Sequence, residues 1–469
     1  MKKIITICIL VICANYLKGQ NKVNNLENFF NYYNELGVFN GVVLAAENDK
    51  IIFQKEYGFA DFENKTPLKR NSLFAIGSTT KTLTATAIMM MEENKLLSYD
   101  DPISKYLTDL PSFSDSVTIR QLLTMTSGIP DYFRDMRMTE YTTPAVLNSL
   151  RKTDKLLFKP GANYNYSSTN YLLLAKIIEH ISGMTWGEYL KKNIFIPSGM
   201  DNTYAYPYSD SIPGRVEAYQ FINWVKADMD LNLSTYGAGN VYSCVDDLYA
   251  FSKALENGLL LKSYTSAYDT SQLIHPVNDS YYYGFGWLIS RKNPAVVFHN
   301  GAVGGFNTII LRNYEVHSTL IILCNNWWMS RIPGIISGAH NIMLGKDFEY
   351  DKVVCTVPFY EIWWFKGFSA AMNWLRKEYS DPSGKFSFQP AELNYLGYLF
   401  LSKKQFKEAI EIFRFCVEIY PDEYNLWDSL GEVYMTAGDK KNAIISFKKA
   451  LELNPNCTTS KEALKKLEE

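Results

Sequence analysis

Short apolar segments rich in β-branched and aromatic residues occur in two groups within the first 345 residues of the chain. In the first group, segments 39–47 and 50–61 read as strands joined by a tight turn at Asn48 and Asp49. The second group reads as successive antiparallel strands within 281–290, 295–313 and 317–326. Because strands lie at both ends of this region with helical patterns between them, we predict an α+β fold with one antiparallel sheet flanked by helices.

The last 80 residues have a different pattern, which repeats every 34 residues. The period and its small residues resemble tetratricopeptide repeats, whose paired helices approach each other closely. We therefore expect an all-α helical-repeat domain over 390–469, with earlier helices within 360–379 and a terminal capping helix within 461–469. The matched positions are Leu393, Leu396, Gly397, Phe400, Ala409, Phe413, Cys416 and Pro421, followed by Trp427, Leu430, Gly431, Tyr434, Ala443, Phe447, Ala450 and Pro455.

The N-terminus begins with Lys2 and Lys3, which precede a mostly apolar run from Ile4 to about Leu17. This run has the form of a secretory signal peptide and is too short to span a membrane comfortably. We therefore expect an exported protein, periplasmic or extracellular, without a membrane span. The expected regions are the signal peptide (1–20), the α+β domain (21–345), a linker with helices (346–389) and the repeats with their cap (390–469).

The charge balance and the cysteine count limit the expected binding partners and disulfide bonds. The chain has 47 Lys and Arg residues against 49 Asp and Glu residues and shows no basic patch, so we expect no nucleic-acid partner. Five cysteines follow the signal peptide, and their scattered positions and odd number are not those of a disulfide framework. Cys416 lies at a helix-packing position, where we expect it to be buried.

A lone lysine, Lys81, stands near the start of the apolar segment 74–97 (FAIGSTTKTLTATAIMMMEENKLL), which predicts a buried helix. Ser78 before it has two interpretations, an N-cap or a nucleophile. A capping box places Glu or Gln where this chain has Lys81, and a cation there opposes the helix dipole. Burial also disfavours the charged ammonium form, and a neutral amine one turn from a hydroxyl can accept its proton.

The Ser-x-x-Lys pattern is weak by itself, because Ser149–Lys152 and Ser446–Lys449 also match it. We expect Ser446–Lys449 to lie at the surface of a repeat helix. Only Ser78–Lys81 stands at a helix start within an apolar run, which favours this pair as the catalytic one.

Five further segments resemble one hydrolase family in order and approximate spacing, over roughly residues 25–345. With Ser78–Lys81 they resemble the serine β-lactamase and penicillin-binding-protein-like hydrolases, in the branch of class C β-lactamases, D-aminopeptidases, D-alanyl carboxypeptidases and related esterases. The segments lie at 118–132 (TIRQLLTMTSGIPDY), 158–200 (beginning FKPGANYNYSSTNYLLL), 236–255 (YGAGNVYSCVDDLYAFSKAL), 284–289 (GFGWLI) and 298–308 (FHNGAVGGFNT).

The resemblance implies an acyl-enzyme mechanism. It implies that Ser78 attacks a carbonyl group, that Lys81 and Tyr166 together form the base, and that Tyr166 then returns the proton to the leaving group. The backbone N–H groups of Ser78 and Ala302 are the implied oxyanion hole. The implied substrate-lining residues are Ser168, His299 and Gly301, of which His299 would bond Tyr166 or a substrate carboxylate.

Three positions depart from the pattern of the resembled family. Ser168 replaces the asparagine of a Tyr-x-Asn motif, Met125 stands where relatives often carry histidine, and His299-Asn300-Gly301 has no lysine. Asn170 is a possible substitute for the missing amide, although Tyr171 then fits the family's next aromatic position. These departures argue against efficient β-lactamase action. They favour an ester, a D-amino-acid amide or a D-Ala-type peptide as the small substrate.

Other chemistries and roles were weighed against this one. The chain has no G-x-S-x-G motif, which excludes a nucleophile elbow. Its five histidines show no H-x-H or H-x-x-x-H spacing, and no Walker or dinucleotide glycine motif occurs, so we expect neither a metal nor another cofactor. The main alternative to an enzyme is a catalytically inactive fold that serves, with the repeats, as a scaffold that binds cell-wall peptide or protein. The repeats indicate a protein or peptide partner, or else a docking or dimerisation module.

Overall fold

The structure, a computed structural model, describes residues 19, 21–136, 138, 140–153, 155–206, 212–220, 225–226, 235–263, 273, 275–326 and 334–469. The chain divides into two compact units, residues up to 349 without 36–38, and residues 350–469 with 36–38. The expected signal peptide, apart from Gly19, lies outside the described residues. Across the described ranges, no helix has the length and apolar character needed to cross a membrane.

The strands are short except in the main sheet. In chain order they are β1 (Gly41–Glu47), β2 (Lys50–Tyr57), β3 (Phe59–Asp61), β4 (Thr66–Pro67), β5 (Phe74–Ala75), β6 (Tyr204–Ala205), β7 (Tyr219–Gln220), β8 (Val225–Lys226), β9 (Val241–Ser243), β10 (Tyr281–Tyr283), β11 (Leu288–Ser290), β12 (Val296–Val303), β13 (Phe306–Asn313), β14 (Ser318–Cys324), β15 (Val353–Val354) and β16 (Phe386–Ser387).

The helices of the first unit lie mostly between its two groups of strands, and the second unit is largely helical. In chain order they are α1 (21–35), α2 (Thr80–Glu93), α3 (Ile119–Leu123), α4 (Thr143–Arg151), α5 (Ser168–Ser182), α6 (Trp186–Leu190), α7 (Ile196–Ser198), α8 (Val245–Glu256), α9 (Gly334–Met343), α10 (Thr356–Lys366), α11 (Phe368–Tyr379), α12 (Pro390–Ser402), α13 (Phe406–Ile419), α14 (Tyr424–Thr436), α15 (Lys440–Leu453) and α16 (Thr458–Glu468).

The main sheet of the described residues joins strands from both ends of the first unit, in the order β10-β11-β12-β13-β14-β1-β2. Its pairings are antiparallel, and β1 lies against β14 with Gly41 opposite Cys324. Asn48 and Asp49 connect β1 and β2 with φ angles of 48° and 64°, as a two-residue hairpin turn requires. The predicted strands, their turn and an antiparallel sheet built from both ends of the domain are therefore confirmed, and three smaller sheets, β3-β4, β5-β9-β6 and β7-β8, accompany it.

Helices cover both faces of this sheet. Val42 and Leu44 of β1 belong to the apolar cluster that also contains side chains of α2, α5 and α8. On the opposite face, Phe53 of β2 stacks on Phe30 of α1 with a 6.3 Å separation between ring centroids. Alternate residues of a strand point to opposite faces, so both faces of β1 are buried under helices. The expected sheet flanked by helices is thus confirmed.

Helix α2 is buried along most of its length, as its apolar sequence predicts. Its threonine hydroxyls bond within the protein: Thr82 Oγ1 donates to Thr79 O at 2.8 Å, and Thr84 Oγ1 donates to Gly237 O at 2.7 Å. Buried hydroxyl groups need such partners. The N-cap of α2 is Thr79, without a side-chain capping bond, so the N-cap interpretation of Ser78 is wrong.

The second unit contains the expected repeat helices. Helices α12 to α15 form two successive pairs, and α16 follows them at the C-terminus. A Cβ atom added to Gly397 of α12 would lie 2.4 Å from the ring of Phe413, and one added to Gly431 of α14 would lie 2.6 Å from Phe447. The matched small residues therefore permit close helix contact in both pairs. Helices α10 and α11 account for segment 360–379, and Cys416 is buried as expected.

Candidate active site

Ser78 lies in a tight turn between β5 and α2. The turn is a short 3₁₀ helix, Gly77–Thr79, and the Ser78 side chain is partly exposed. Strand β13 anchors the turn, because Thr308 Oγ1 donates a hydrogen bond to Ile76 O at 2.9 Å and lies 3.1 Å from Thr79 Oγ1. These bonds hold the Ser78 hydroxyl at the edge of the main sheet.

Lys81 lies one helical turn beyond Ser78, and its side chain is fully buried. Its Nζ donates to Ser78 Oγ at 2.9 Å and to Ala238 O at 3.0 Å. The peptide that supplies this carbonyl is fixed against α2, because Thr84 bonds the neighbouring Gly237 O. The amine is therefore held within proton-transfer distance of the Ser78 hydroxyl.

Tyr166 stands two residues before α5, with its ring facing Lys81. The centroid of its half-buried ring lies 5.0 Å from Lys81 Nζ. The ring also contacts Tyr283 edge to face, with centroids 6.0 Å apart. The structure thus brings the side chains of Ser78, Lys81 and Tyr166 into one cluster centred on the lysine.

Strand β12 contributes the third predicted element, and its glycine permits close contact with the Ser78 turn. A Cβ atom added to Gly301 would lie 2.0 Å from Ile76 O. A Cβ atom added to Gly77 would lie 2.9 Å from the backbone nitrogen of Ala302. Only glycine allows such an approach, so the Ala302 N–H group lies beside the turn that carries Ser78.

His299 precedes this glycine on β12 and is 1% exposed. Its Nδ1 donates to Asn300 O at 2.7 Å, which leaves Nε2 to accept a hydrogen bond from the Tyr283 hydroxyl at 3.1 Å. Burial, and then the nearby Lys81 cation, lower the pKa of His299 to about 3. The imidazole is therefore neutral at physiological pH, and its observed partner is Tyr283 rather than Tyr166.

Two of the departures, Ser168 and Met125, lie with Asn170 around the start of α5. Asn170 is fully buried, accepts from Ser127 Oγ at 2.8 Å and donates to Met125 Sδ at 3.5 Å. Met125 Sδ also accepts from Ser167 N at 3.3 Å. Asn170 therefore does not replace the missing amide near Lys81. Ser168 is buried, and its backbone N–H group donates to Asp131 Oδ2 at 2.6 Å.

Three further tyrosines, Tyr164, Tyr171 and Tyr283, lie near Tyr166. Burial raises the pKa of the Tyr164, Tyr171 and Tyr283 phenols well above the usual value. Tyr171 donates its hydroxyl proton to Leu123 O at 3.0 Å. All three phenols therefore stay protonated at neutral pH, and they supply a wall of neutral aromatic rings behind the cluster.

The other Ser-x-x-Lys pairs have different surroundings. Ser446 is 2% exposed and donates to Asn442 O at 3.0 Å, whereas Lys449 pairs with Glu452 at 2.7 Å. The expectation that Ser446 lies at the surface is wrong, because its hydroxyl packs inward against its own helix. Lys152 is exposed at the C-terminal end of α4.

The Beta-lactamase family profile matches residues 26–328, which contain this whole cluster. The chain belongs to the β-lactamase and penicillin-binding-protein-like serine hydrolase family. Within it, the chain is 32% identical to penicillin-binding protein 4* of Bacillus subtilis (strain 168), over 70% of this chain and 78% of that protein. The predicted resemblance to these serine hydrolases is therefore confirmed.

Solved structures show the same family fold. The octameric penicillin-binding protein homologue from Pyrococcus abyssi aligns with a TM-score of 0.61 and 26% identity, over 72% of this chain and 80% of that chain. The D-amino acid amidase from Ochrobactrum anthropi SV3 shares the fold, with a TM-score of 0.59 and 23% identity over 69% and 97% of the two chains. A tetratricopeptide repeat profile matches residues 394–423 and 424–457, which suggests protein–protein interaction.

Several contributors to this family site escape sequence reasoning. The carbonyl group of Ala238 bonds Lys81, yet a backbone carbonyl leaves no mark on residue type. Tyr283 holds His299, and only its place before the GFGWLI segment could have drawn attention to it. Asp131 accepts from Ser168 N at 2.6 Å, and only its place within the GIPDY sequence could have indicated this role.

Proposed function

We propose that this chain is an active serine hydrolase that forms an acyl-enzyme on Ser78. The substrate is an ester, a D-amino-acid amide or a D-Ala-type peptide. The observation that carries the proposal is the 2.9 Å hydrogen bond from the fully buried Lys81 Nζ to Ser78 Oγ. A fold that served only as a binding scaffold has no need for a buried lysine beside a serine, because burying an amine is costly.

In the first half of the proposed reaction, Ser78 Oγ attacks the carbonyl carbon and its proton passes to the Lys81–Tyr166 pair. The backbone N–H groups of Ser78 and Ala302 stabilise the negative charge on the carbonyl oxygen. Tyr166 then protonates the leaving alcohol or amine as the bond from the carbonyl carbon to it breaks. The acyl group remains as an ester of Ser78.

In the second half, water replaces the leaving group. The Lys81–Tyr166 pair removes a proton from the water molecule as its oxygen attacks the acyl carbon. The bond to Ser78 Oγ breaks, and the serine oxygen regains a proton. Ser168, His299 and Gly301 are buried, so their role in this scheme is to shape the cleft from behind: His299 holds Tyr283, and Gly301 lets β12 approach the Ser78 turn.

The proposed location is the periplasm or the cell exterior. The support comes from the charged and apolar pattern at the N-terminus and from relatives named as penicillin-binding proteins. The proposed partner of the repeats is a protein or peptide. The match to tetratricopeptide repeats supports this partner class, whereas the helix faces do not identify a particular one.

The direct test is covalent labelling with a fluorophosphonate, followed by peptide mass spectrometry. We expect one adduct on Ser78, and we expect Ser78→Ala to abolish both the adduct and the hydrolysis of p-nitrophenyl acetate. The control is Ser149→Ala, which removes the serine of another Ser-x-x-Lys pair and leaves labelling intact. Failure of the wild type to label, combined with inertness to esters, D-Ala peptides and β-lactams, supports the inactive scaffold instead.

A further inference from the structure

The segment around Tyr166 is held by one acid and one base from the segment after α3. Asp131 Oδ2 accepts a hydrogen bond from Ser168 N at 2.6 Å, two residues beyond Tyr166. Arg134 Nη2 donates to the carbonyl oxygen of Tyr166 itself and to Asn165 Oδ1, the latter at 3.3 Å. The three residues 165, 166 and 168 are therefore fixed through two side chains.

Asp131 and Arg134 also hold each other. Asp131 Oδ1 lies 3.7 Å from Arg134 Nε and accepts backbone hydrogen bonds from Phe133 N at 3.0 Å and Arg134 N at 3.2 Å. The Asp131 side chain is 3% exposed, whereas that of Arg134 is 54% exposed. A buried carboxylate with several N–H donors is a rigid anchor, because each lost bond leaves an unsatisfied group.

Part of this arrangement has a purely local explanation. An aspartate that accepts from the N–H groups two and three residues later stabilises its own turn. That local role does not account for the third bond, which crosses to the first residue of α5, nor for the reach of Arg134 to the Tyr166 carbonyl. These two contacts act on the two peptide groups that directly follow Tyr166 and so fix the backbone that carries its side chain.

We propose that Asp131 and Arg134 are positioning residues that aim the Tyr166 hydroxyl at the leaving group. This inference rests on the proposed function, in which Tyr166 donates a proton to the departing oxygen or nitrogen. Displacement of a reacting group by about 1 Å can cost about 10²-fold in rate. Residues that hold the backbone at Tyr166 in place can therefore have a large effect on the rate. Neither residue touches the substrate in this scheme.

The test compares two substrates that share an acyl group and differ in their need for a proton. The p-nitrophenyl ester of D-alanine releases a stable phenolate and needs little protonation, whereas D-alanine p-nitroanilide releases an amine that must be protonated. We expect Asp131→Asn and Arg134→Gln to lower kcat/KM for the anilide by about 10²-fold and for the ester by less. A merely structural role lowers both values in the same proportion.

Two controls isolate the role of Tyr166. In a Tyr166→Phe background, Asp131→Asn should leave the anilide-to-ester ratio unchanged, because the group being aimed is already absent. Asp109→Asn and Arg151→Gln remove an exposed Asp–Arg pair elsewhere in the same unit and should leave both substrates unaffected. Thermal unfolding of each variant shows whether it is folded, and Arg134→Gln decides the test if Asp131→Asn does not fold.

The outcomes separate this inference from the function on which it rests. An active wild type with a strong Tyr166→Phe defect, but an unchanged ratio in Asp131→Asn and Arg134→Gln, overturns the inference alone. A wild type that hydrolyses neither substrate and does not label at Ser78 overturns the proposed function and, with it, the inference. A ratio that still falls in the Tyr166→Phe background shows that the two residues act on a different group.

Discussion

Gly77 and Ala302 approach each other so closely that a Cβ atom on Gly77 would lie 2.9 Å from the Ala302 nitrogen. Gly77 also has a φ angle of +51°, in the left-handed region that favours glycine. The contact joins the turn that carries Ser78 to strand β12. Because the two proposed oxyanion donors come from these two elements, Gly77 sets the distance between them.

The first prediction follows from this contact. Gly77→Ala should lower kcat for p-nitrophenyl acetate by about 10²–10³-fold, the usual cost of losing one oxyanion donor. The added methyl group pushes β12 away from the turn, so the Ala302 N–H group no longer points at the carbonyl oxygen. Steady-state kinetics of the folded variant measure this effect.

The matched control is Gly183→Ala. Gly183 ends α5 with a φ angle of +68°, but no atom lies within 4 Å of the Cβ that the substitution adds. This variant suffers backbone strain of about 1–3 kcal/mol in stability without a steric contact. It should lose stability and keep its kcat. Equal losses of kcat in the two variants would indicate that strain, rather than donor placement, explains the effect at Gly77.

Much of the first unit follows from patterns that are local in sequence. The Asn48–Asp49 turn and its flanking strands are set by residue types within a dozen positions, and the structure agrees with them. The buried helix α2 likewise follows from an apolar run that has no charged face. Family resemblance then brought the distant Tyr166 and His299 into one site with Ser78.

The parts that were missed depend on contacts between residues far apart in sequence. His299 bonds Tyr283 because burial of both side chains pairs the two polar groups, and the sequence holds no rule that selects this tyrosine. The Asn170 side chain bonds Ser127 and Met125 because the loop after α3 packs against the start of α5. Side-chain direction at such positions is a tertiary property.

A second prediction concerns the pH dependence of stability at His299. Its pKa is about 3 in the folded protein, against about 6.5 for an unfolded chain. Between these pH values the unfolded state binds a proton that the folded state does not, so the wild type loses stability as pH falls from 6.5 towards 3. The slope is up to about 1.4 kcal/mol per pH unit, and the effect vanishes above pH 6.5.

His299→Gln removes this titration. The variant should be less stable than the wild type at pH 7, because a flexible amide does not keep the ring's two bonds, to the Tyr283 hydroxyl and to Asn300 O, but the gap should narrow as pH falls below 6.5. Urea unfolding at pH 7, 6, 5 and 4 measures the gap. Tyr283→Phe serves as the control, since it retains the histidine and its gap should stay nearly constant. A gap for His299→Gln that is independent of pH contradicts the prediction.

A third prediction concerns the repeat helices. Gly397→Ala should destabilise the second unit, because the steric cost of about 1–3 kcal/mol against Phe413 exceeds the gain of about 1 kcal/mol in helix propensity. The midpoint of thermal unfolding, followed by circular dichroism, measures the change. Phe413→Leu should partly rescue Gly397→Ala and should not rescue Gly431→Ala, whose neighbour is Phe447. A stabilised Gly397→Ala variant shows that the ring moves away without cost.

The last prediction is that turnover of p-nitrophenyl acetate exceeds turnover of nitrocefin. Nitrocefin carries a carboxylate that relatives with lysine in the third motif can meet with a cation. Here that position holds His299, which is neutral, buried and bonded to Tyr283. Ser168 is buried, and its hydroxyl offers one donor where the asparagine amide that it replaces offers two. Both departures weaken the contacts that a β-lactam needs and leave those of a small ester intact. Initial rates for the two substrates decide the ranking, after the rate of the Ser78→Ala variant has been subtracted from each. Faster nitrocefin turnover would show that neither departure limits β-lactam hydrolysis.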